Sequence, residues 1–92
     1  MVIRYLKKSL VDLDNIAEYI ALDNPEAAKR FVNELKGFID LLEESPDMGC
    51  PGRVHGTKEL IKSHCIIPYR VVGKQIQILR VFDTSQKPPD NW

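Results

Sequence analysis

The period of apolar positions changes along the chain, and each change marks an element. Val2-Ile3-Arg4-Tyr5-Leu6 is a short β-prone run ahead of Lys7-Lys8-Ser9, and it predicts a first strand. Ser9 offers an N-cap. Beyond it Leu10, Leu13, Ile16, Ala17, Ile20 and Ala21 recur at helical spacing with Asp12, Asp14, Asn15, Glu18 and Tyr19 between them, which predicts an amphipathic helix ending near Leu22. In Asp23-Asn24-Pro25, Asn24 suits a cap, and Pro25 suits the first helical position because its missing N–H needs no partner there. A second helix then carries Ala28, Phe31, Val32, Leu35, Phe38, Ile39 and Leu42 along one stripe and runs to about Ser45, stopped by Pro46.

After a Pro- and Gly-rich loop, Ser45 to Gly52, the pattern becomes β: Lys58 to Lys62, Cys65 to Val72, and Gln75 to Phe82. Gly73-Lys74 is expected to close the last two as a two-residue hairpin with Val72 opposite Gln75. That register puts Cys65, Ile67, Tyr69, Val71, Ile76, Ile78 and Phe82 on the face toward the helices. Arg70, Val72, Gln75 and Gln77 fall on the other. Two residues fit poorly. Arg80 falls on the apolar face and requires a bulge, a strand end or an ion pair, and Pro68 cannot donate to a ladder. The order β-α-α-β-β-β predicts a two-layer α+β fold, one domain over residues 1–92, with two antiparallel helices on a mostly antiparallel four-stranded sheet.

Composition changes this picture little. With 43% hydrophobic and 28% charged residues, the chain is expected to fold as an ordinary globular domain. The apolar runs are too short to span a bilayer and the first residues lack a signal-peptide core, so the expected location is cytoplasmic, with no membrane partner. Cys50 and Cys65 are then expected as free thiols, and no Cys/His spacing points to a metal or other cofactor. Charge is more informative. The net charge is zero, yet residues 1–50 carry 6 basic and 10 acidic side chains while residues 51–92 carry 7 and 3. A zero total argues against tight binding of bare nucleic acid by the chain alone, because phosphate neutralisation supplies most of such affinity.

Gly52-Arg53-Val54-His55-Gly56-Thr57-Lys58-Glu59-Leu60, Ile67-Pro68-Tyr69-Arg70-Val71 and Ile78-Leu79-Arg80-Val81-Phe82, with the helical pair around Asn24-Pro25-Glu26-Ala27-Ala28, resemble the RelE/ParE toxins in order and spacing. The resemblance covers nearly the whole chain. It implies a sheet order of 1-4-3-2, an antitoxin partner, and one of two activities: poisoning of DNA gyrase, as ParE-type toxins do, or ribosome-dependent mRNA cleavage of the RelE type. An open edge strand offers unpaired backbone groups, so that partner is expected to cover the exposed sheet face and its edge. RNA cleavage needs closely grouped residues to activate the 2′-hydroxyl and steady the phosphorane. The resemblance places an Arg and an aromatic or His near the C-terminus of the cleaving branch. Here the tail Asp83 to Trp92 has no Tyr or His, and Gln86 stands where Arg is common. That favours the ParE-like branch and a toxin that binds without turnover. The ParE pattern itself often has a His after the last strand and an Arg a few residues on, where this chain has Asp83 and Gln86, so an attenuated or non-toxic homologue that still binds antitoxin is a further alternative.

Candidate contacts to a target or antitoxin are therefore Arg53, Arg70, Arg80, Asp83, Gln86 and Trp92. The plainer readings are that Arg53 braces its loop, that Arg80 belongs to a buried structural pair, and that Trp92 folds back on the sheet. His55 and His64 have no evident carboxylate partner in the sequence, and they are expected at the surface. So is the acidic face of the first helix, Asp12, Asp14 and Glu18.

Overall fold

The computed structural model describes residues 1–62 and 64–84. Its elements run β1 (Val2–Tyr5), α1 (Lys7–Asp23), α2 (Pro25–Asp40), a short 3-10 turn (Leu41–Glu43), β2 (Cys50–Pro51), β3 (Lys58–Lys62), β4 (Cys65–Val72), β5 (Gln75–Ile78) and β6 (Phe82–Asp83). The strands form one mixed sheet in the order β1-β5-β4-β3-β2, with β6 continuing beyond β5 along β4. The expected order of four main strands is embedded in it. Two features are added: a two-residue strand beside β3, and a break in the last strand. β1 runs parallel to β5 and the other pairs are antiparallel.

The helical hairpin forms as its sequence dictates. Asn24 ends α1 by donating its N–H to the Ile20 carbonyl at 2.9 Å, and its Oδ1 accepts from the N–H groups of Glu26 and Ala27 at 3.1 and 3.2 Å. One residue thus serves both helix ends, with Pro25 in the first position of α2. The start of α1 differs from expectation. Leu6, not Ser9, occupies the cap position, because its N–H already pairs with the Ile78 carbonyl at 3.0 Å and the strand passes directly into the helix. Ser9 lies fully buried in the first turn and donates its hydroxyl to Leu6 O at 2.6 Å. The second helix also ends sooner, at Asp40. The 3-10 turn beyond it drives Leu42 into the core.

Leu13 from α1, Leu35 and Ile39 from α2, and Leu60, Ile67, Tyr69, Ile76 and Ile78 from the sheet pack into a single cluster. At about 2 kcal/mol for each fully buried large side chain, this layer supplies the main drive for folding. The hairpin register agrees with expectation: Val72 faces Gln75 and Tyr69 faces Ile78, with Gly73 at φ +60° in the turn. Val71 is the exception on the inner face, 39% exposed near the strand end. On the outer face Arg70 Nε donates to Gln77 Oε1 at 2.7 Å, and Gln77 Nε2 donates to Gln75 Oε1 at 2.8 Å.

The break in the last strand resolves both misfits. Between the pairs Tyr69↔Ile78 and Ile66↔Phe82, β4 contributes two residues and its partner three, 79 to 81, which is a β-bulge. The extra residue inverts the facing of the positions after it. Val81, 2% exposed, takes the place in the inner cluster expected of Phe82, which stands opposite Ile66 on the outer face and is itself buried there, 9% exposed. Pro68 accepts the Leu79 N–H on its carbonyl at 2.9 Å, and in an antiparallel strand N and O of one residue point the same way. Its missing donor therefore faces the bulge, where no ladder bond is needed.

Two tyrosines make opposite demands. Tyr69 Oη donates to Pro46 O at 2.7 Å and accepts the Gly49 N–H at 2.9 Å, tying the loop after α2 to the sheet. Gly49 is required there, since a Cβ would lie 2.7 Å from the Tyr69 ring. Tyr5 Oη is buried and has no hydrogen-bond partner among the described residues, and burial followed by the charge of Asp40 pushes its pKa up to about 12. In denaturant unfolding, Tyr69→Phe is expected to lower stability by about 1–3 kcal/mol, and Tyr5→Phe to leave it unchanged or raise it. Equal losses in the two variants would contradict these assignments.

Candidate functional site

A cleft of about 470 Å³ opens on the outer side of the sheet, between the start of α1, the loop after β2, the middle of β4 and the bulge. Lys7, Lys8, Arg70, Arg80 and His55 line it, over a floor that includes Leu6, Val54 and Leu79. Among the described residues no Asp or Glu contributes to its wall. The α1 helix begins here without a side-chain cap and without an acidic residue in its first turn, so its positive end adds to the field.

Arg80 is held by a partner that the sequence pattern had assigned to solvent. Its Nε and Nη2 donate to Asp12 Oδ2 and Oδ1 at 2.6 and 3.0 Å, and the Val81 N–H donates to the same Oδ2 at 3.1 Å. The two side chains are only 24% and 15% exposed. Asp12 is therefore no part of a solvated acidic face. It neutralises the arginine at the bulge and satisfies a backbone donor there. The Arg80 guanidinium also lies 4.9 Å from the Phe82 ring centroid. The hydrogen bonds from Asp12 raise the Arg80 pKa further, so the charge is permanent.

The loop preceding β3 has its own anchor. Glu59, buried in β3, accepts the Arg53 N–H at 2.9 Å on Oε2. The Arg53 side chain adds a long 3.9 Å contact and remains 40% exposed. Gly52 N–H donates to Thr57 O at 2.9 Å, and Thr57 Oγ1 donates to Val54 O at 2.6 Å, which closes the loop carrying His55 to the cleft.

Of the six candidate residues, Arg70 and Arg80 come together at the cleft. Arg53 braces its loop. Asp83 lies in β6 opposite Cys65, away from the cleft lining. Gln86 and Trp92 fall outside the described residues. Lys7, Lys8 and Asp12 were missed as site residues. Asp12 stands one position from Leu13 and three from Ser9, at the border of the buried stripe, and that helical position was the available signal. His64 is exposed and absent from the cleft lining. Both cysteines are free thiols, and burial, then the charge of Asp83, pushes the Cys65 pKa up to about 11, so it is no nucleophile near neutral pH. Among the described residues no group of three His, Cys, Asp or Glu side chains is placed to hold a metal. No helix among them is long and apolar enough to cross a membrane.

Because Glu59 acts mainly through a backbone N–H, Glu59→Ala is expected to cost about 1–3 kcal/mol and to expose the loop to limited proteolysis. Arg53→Ala should stay within about 0.5 kcal/mol, as an exposed ion pair contributes little. Comparable losses from both would show that the ion pair, not the backbone bond, holds the loop.

Comparison with known proteins agrees with this architecture. Residues 3–88 match the family model described as the ParE toxin of the type II toxin-antitoxin system, parDE. The chain is 39% identical over 89 residues to Y4kP, a toxin candidate of Sinorhizobium fredii, covering 95% of this chain and 92% of that protein. It superposes on a chain of the chromosomal ParDE toxin–antitoxin system of P. aeruginosa with a TM-score of 0.81 and 32% identity, covering 90% of this chain and 95% of that one. A chain of the RelBE2 toxin–antitoxin complex of Mycobacterium tuberculosis shares the fold, with a TM-score of 0.60 and 23% identity over 89% of this chain and 95% of that one. With its two helices over a bulged mixed sheet, this chain belongs to the ParE toxin family of type II toxin–antitoxin systems.

Proposed function

We propose that this toxin acts by binding DNA gyrase without turning over a substrate, and that a cognate antitoxin encoded beside it neutralises it. The ParE family match over residues 3–88 carries this reading. The cleft supports it from the chemical side. In-line RNA cleavage needs a group to take the 2′-hydroxyl proton and one to protonate the leaving oxygen. Among the described residues the cleft wall offers one imidazole, His55, and no carboxylate, and the guanidinium nearest the bulge is already committed to Asp12. A ribosome-dependent endonuclease is the second reading, favoured by the same grouping of Lys7, Lys8, Arg70 and His55 around one space.

The antitoxin has two suitable footholds. The outer side of the helical hairpin carries an apolar groove lined by Ala17, Ala21, Pro25, Ala28 and Val32, fit for the apolar face of a helix. At the sheet, β2 covers Lys58 and Glu59, and among the described residues the rest of the β3 edge is open to strand addition. Tyr19 and Leu22, 71% and 86% exposed near the hairpin turn, fit a surface that a partner covers.

In parallel assays the purified toxin is expected to block gyrase supercoiling, with activity restored by antitoxin, and to leave mRNA on translating ribosomes intact. Site-specific mRNA cuts would transfer the function to the second reading. The double change Asp83→His and Gln86→Arg restores cationic groups where related toxins carry them. It should strengthen growth arrest and induce the DNA-damage response at equal soluble expression, whereas unchanged growth would remove this segment from the target surface.

A further inference from the structure

The cleft concentrates charge in a way the composition hides. The chain as a whole is neutral, yet four cationic side chains, Lys7, Lys8, Arg70 and Arg80, line this one space, and among the described residues none in its wall is acidic. Asp12 compensates Arg80 alone. Among the described residues Lys7, Lys8 and Arg70 have no acidic partner, and Arg70 is held in place by a neutral amide, Gln77. Like charges facing one concave space repel one another, and they do so least when an anion lies between them.

We propose that this cleft binds the phosphodiester backbone of a nucleic-acid strand through Lys7, Lys8 and Arg70. The cleft takes Arg70 from β4, a strand with neighbours on both sides, and Leu79 and Arg80 from the bulge, where the Leu79 N–H is paired with the Pro68 carbonyl, so a peptide could not add there as a strand. An acidic partner peptide would find only side-chain contacts there, while its natural footholds, the open β3 edge and the apolar groove of the helical hairpin, lie elsewhere. A polyanionic strand needs nothing beyond closely set cations. Among the described residues the wall holds no Phe, Tyr or Trp, and His55 is its one ring on which a base could stack, so the site reads chiefly backbone and little sequence. The proposal does not depend on gyrase being the target. A strand presented by gyrase and one presented by a ribosome share this chemistry.

The test is fluorescence anisotropy of the full chain, free of antitoxin, with short labelled single-stranded DNA and RNA of matched sequence, between about 50 and 200 mM salt. Binding is expected with a logarithmic salt slope of about −2, as three cations on a single strand give, and with a dissociation constant of about 10⁻⁶ to 10⁻⁴ M. Lys7→Gln with Lys8→Gln should reduce the slope to about −0.7 and weaken binding about tenfold at the lowest salt. Arg70→Gln alone should reduce the slope by about 0.7, and it keeps the test open if the lysine pair disturbs folding. Arg30→Gln, on the exposed side of α2, should change nothing. Binding of DNA only, of RNA only or of both upholds the site and identifies the source of the strand. No binding, equal losses from Arg30→Gln and Arg70→Gln, or a glutamate-rich peptide binding more tightly than either oligonucleotide would overturn it.

Discussion

The carboxylate of Asp12 governs how the two layers of this toxin meet. It accepts three hydrogen bonds across the helix–sheet boundary, two from Arg80 and one from the Val81 backbone, at the bulge that interrupts the ladder beside β4. A bulge leaves an unpaired backbone donor and re-aims the side chains beyond it. Here the donor is satisfied, the misplaced arginine is neutralised, and Val81 rather than Phe82 enters the cluster between helices and sheet. Pro68 on the neighbouring strand lacks a donor at the matching position, so β4 and the bulge are adapted to each other.

The bulge also sets the electrostatics of the outer face. With Arg80 drawn toward α1 and Arg70 held by Gln77, two guanidiniums bound a cleft that the start of α1 closes with Lys7 and Lys8. Acidic side chains cluster elsewhere, Glu43, Glu44 and Asp47 in the segment after α2 among them. A zero net charge is therefore the sum of separated regions and says little about what any one surface attracts.

Most of the fold was legible because its signals are local. Asn24 and Pro25 specify the hairpin between the helices, Gly73 specifies the β-hairpin, and the period of Ile67, Tyr69, Ile76 and Ile78 specifies which face is buried. The misfit of Arg80 and Pro68 announced an irregularity without locating it. The bulge depends on a pairing count between β4 and its partner, and the capture of Arg80 depends on a contact spanning 68 residues, neither of which a local pattern records. Phe82 was placed on the wrong face for the same reason. A hydroxyl favours the cap position, which is what Ser9 suggests locally, but the β1 ladder extends through Leu6 and leaves no room for a separate turn. The cleft was half legible: Arg70 and Arg80 stood out as arginines among strand residues, whereas Lys7 and Lys8 looked like a strand boundary until the fold brought them alongside.

The claim that Asp12 and Arg80 act as a unit at the bulge is tested most directly by a double-mutant cycle with Asp12→Asn and Arg80→Met, read by equilibrium unfolding. Neighbours in one hydrogen-bonded network couple by about 0.5–3 kcal/mol, and a partly buried bidentate pair belongs in the upper half of that range. A coupling of about 1.5 kcal/mol or more is expected, with each single variant less stable than the wild type. Additive effects, within about 0.5 kcal/mol, would contradict the account and leave the bulge to be explained by backbone packing alone.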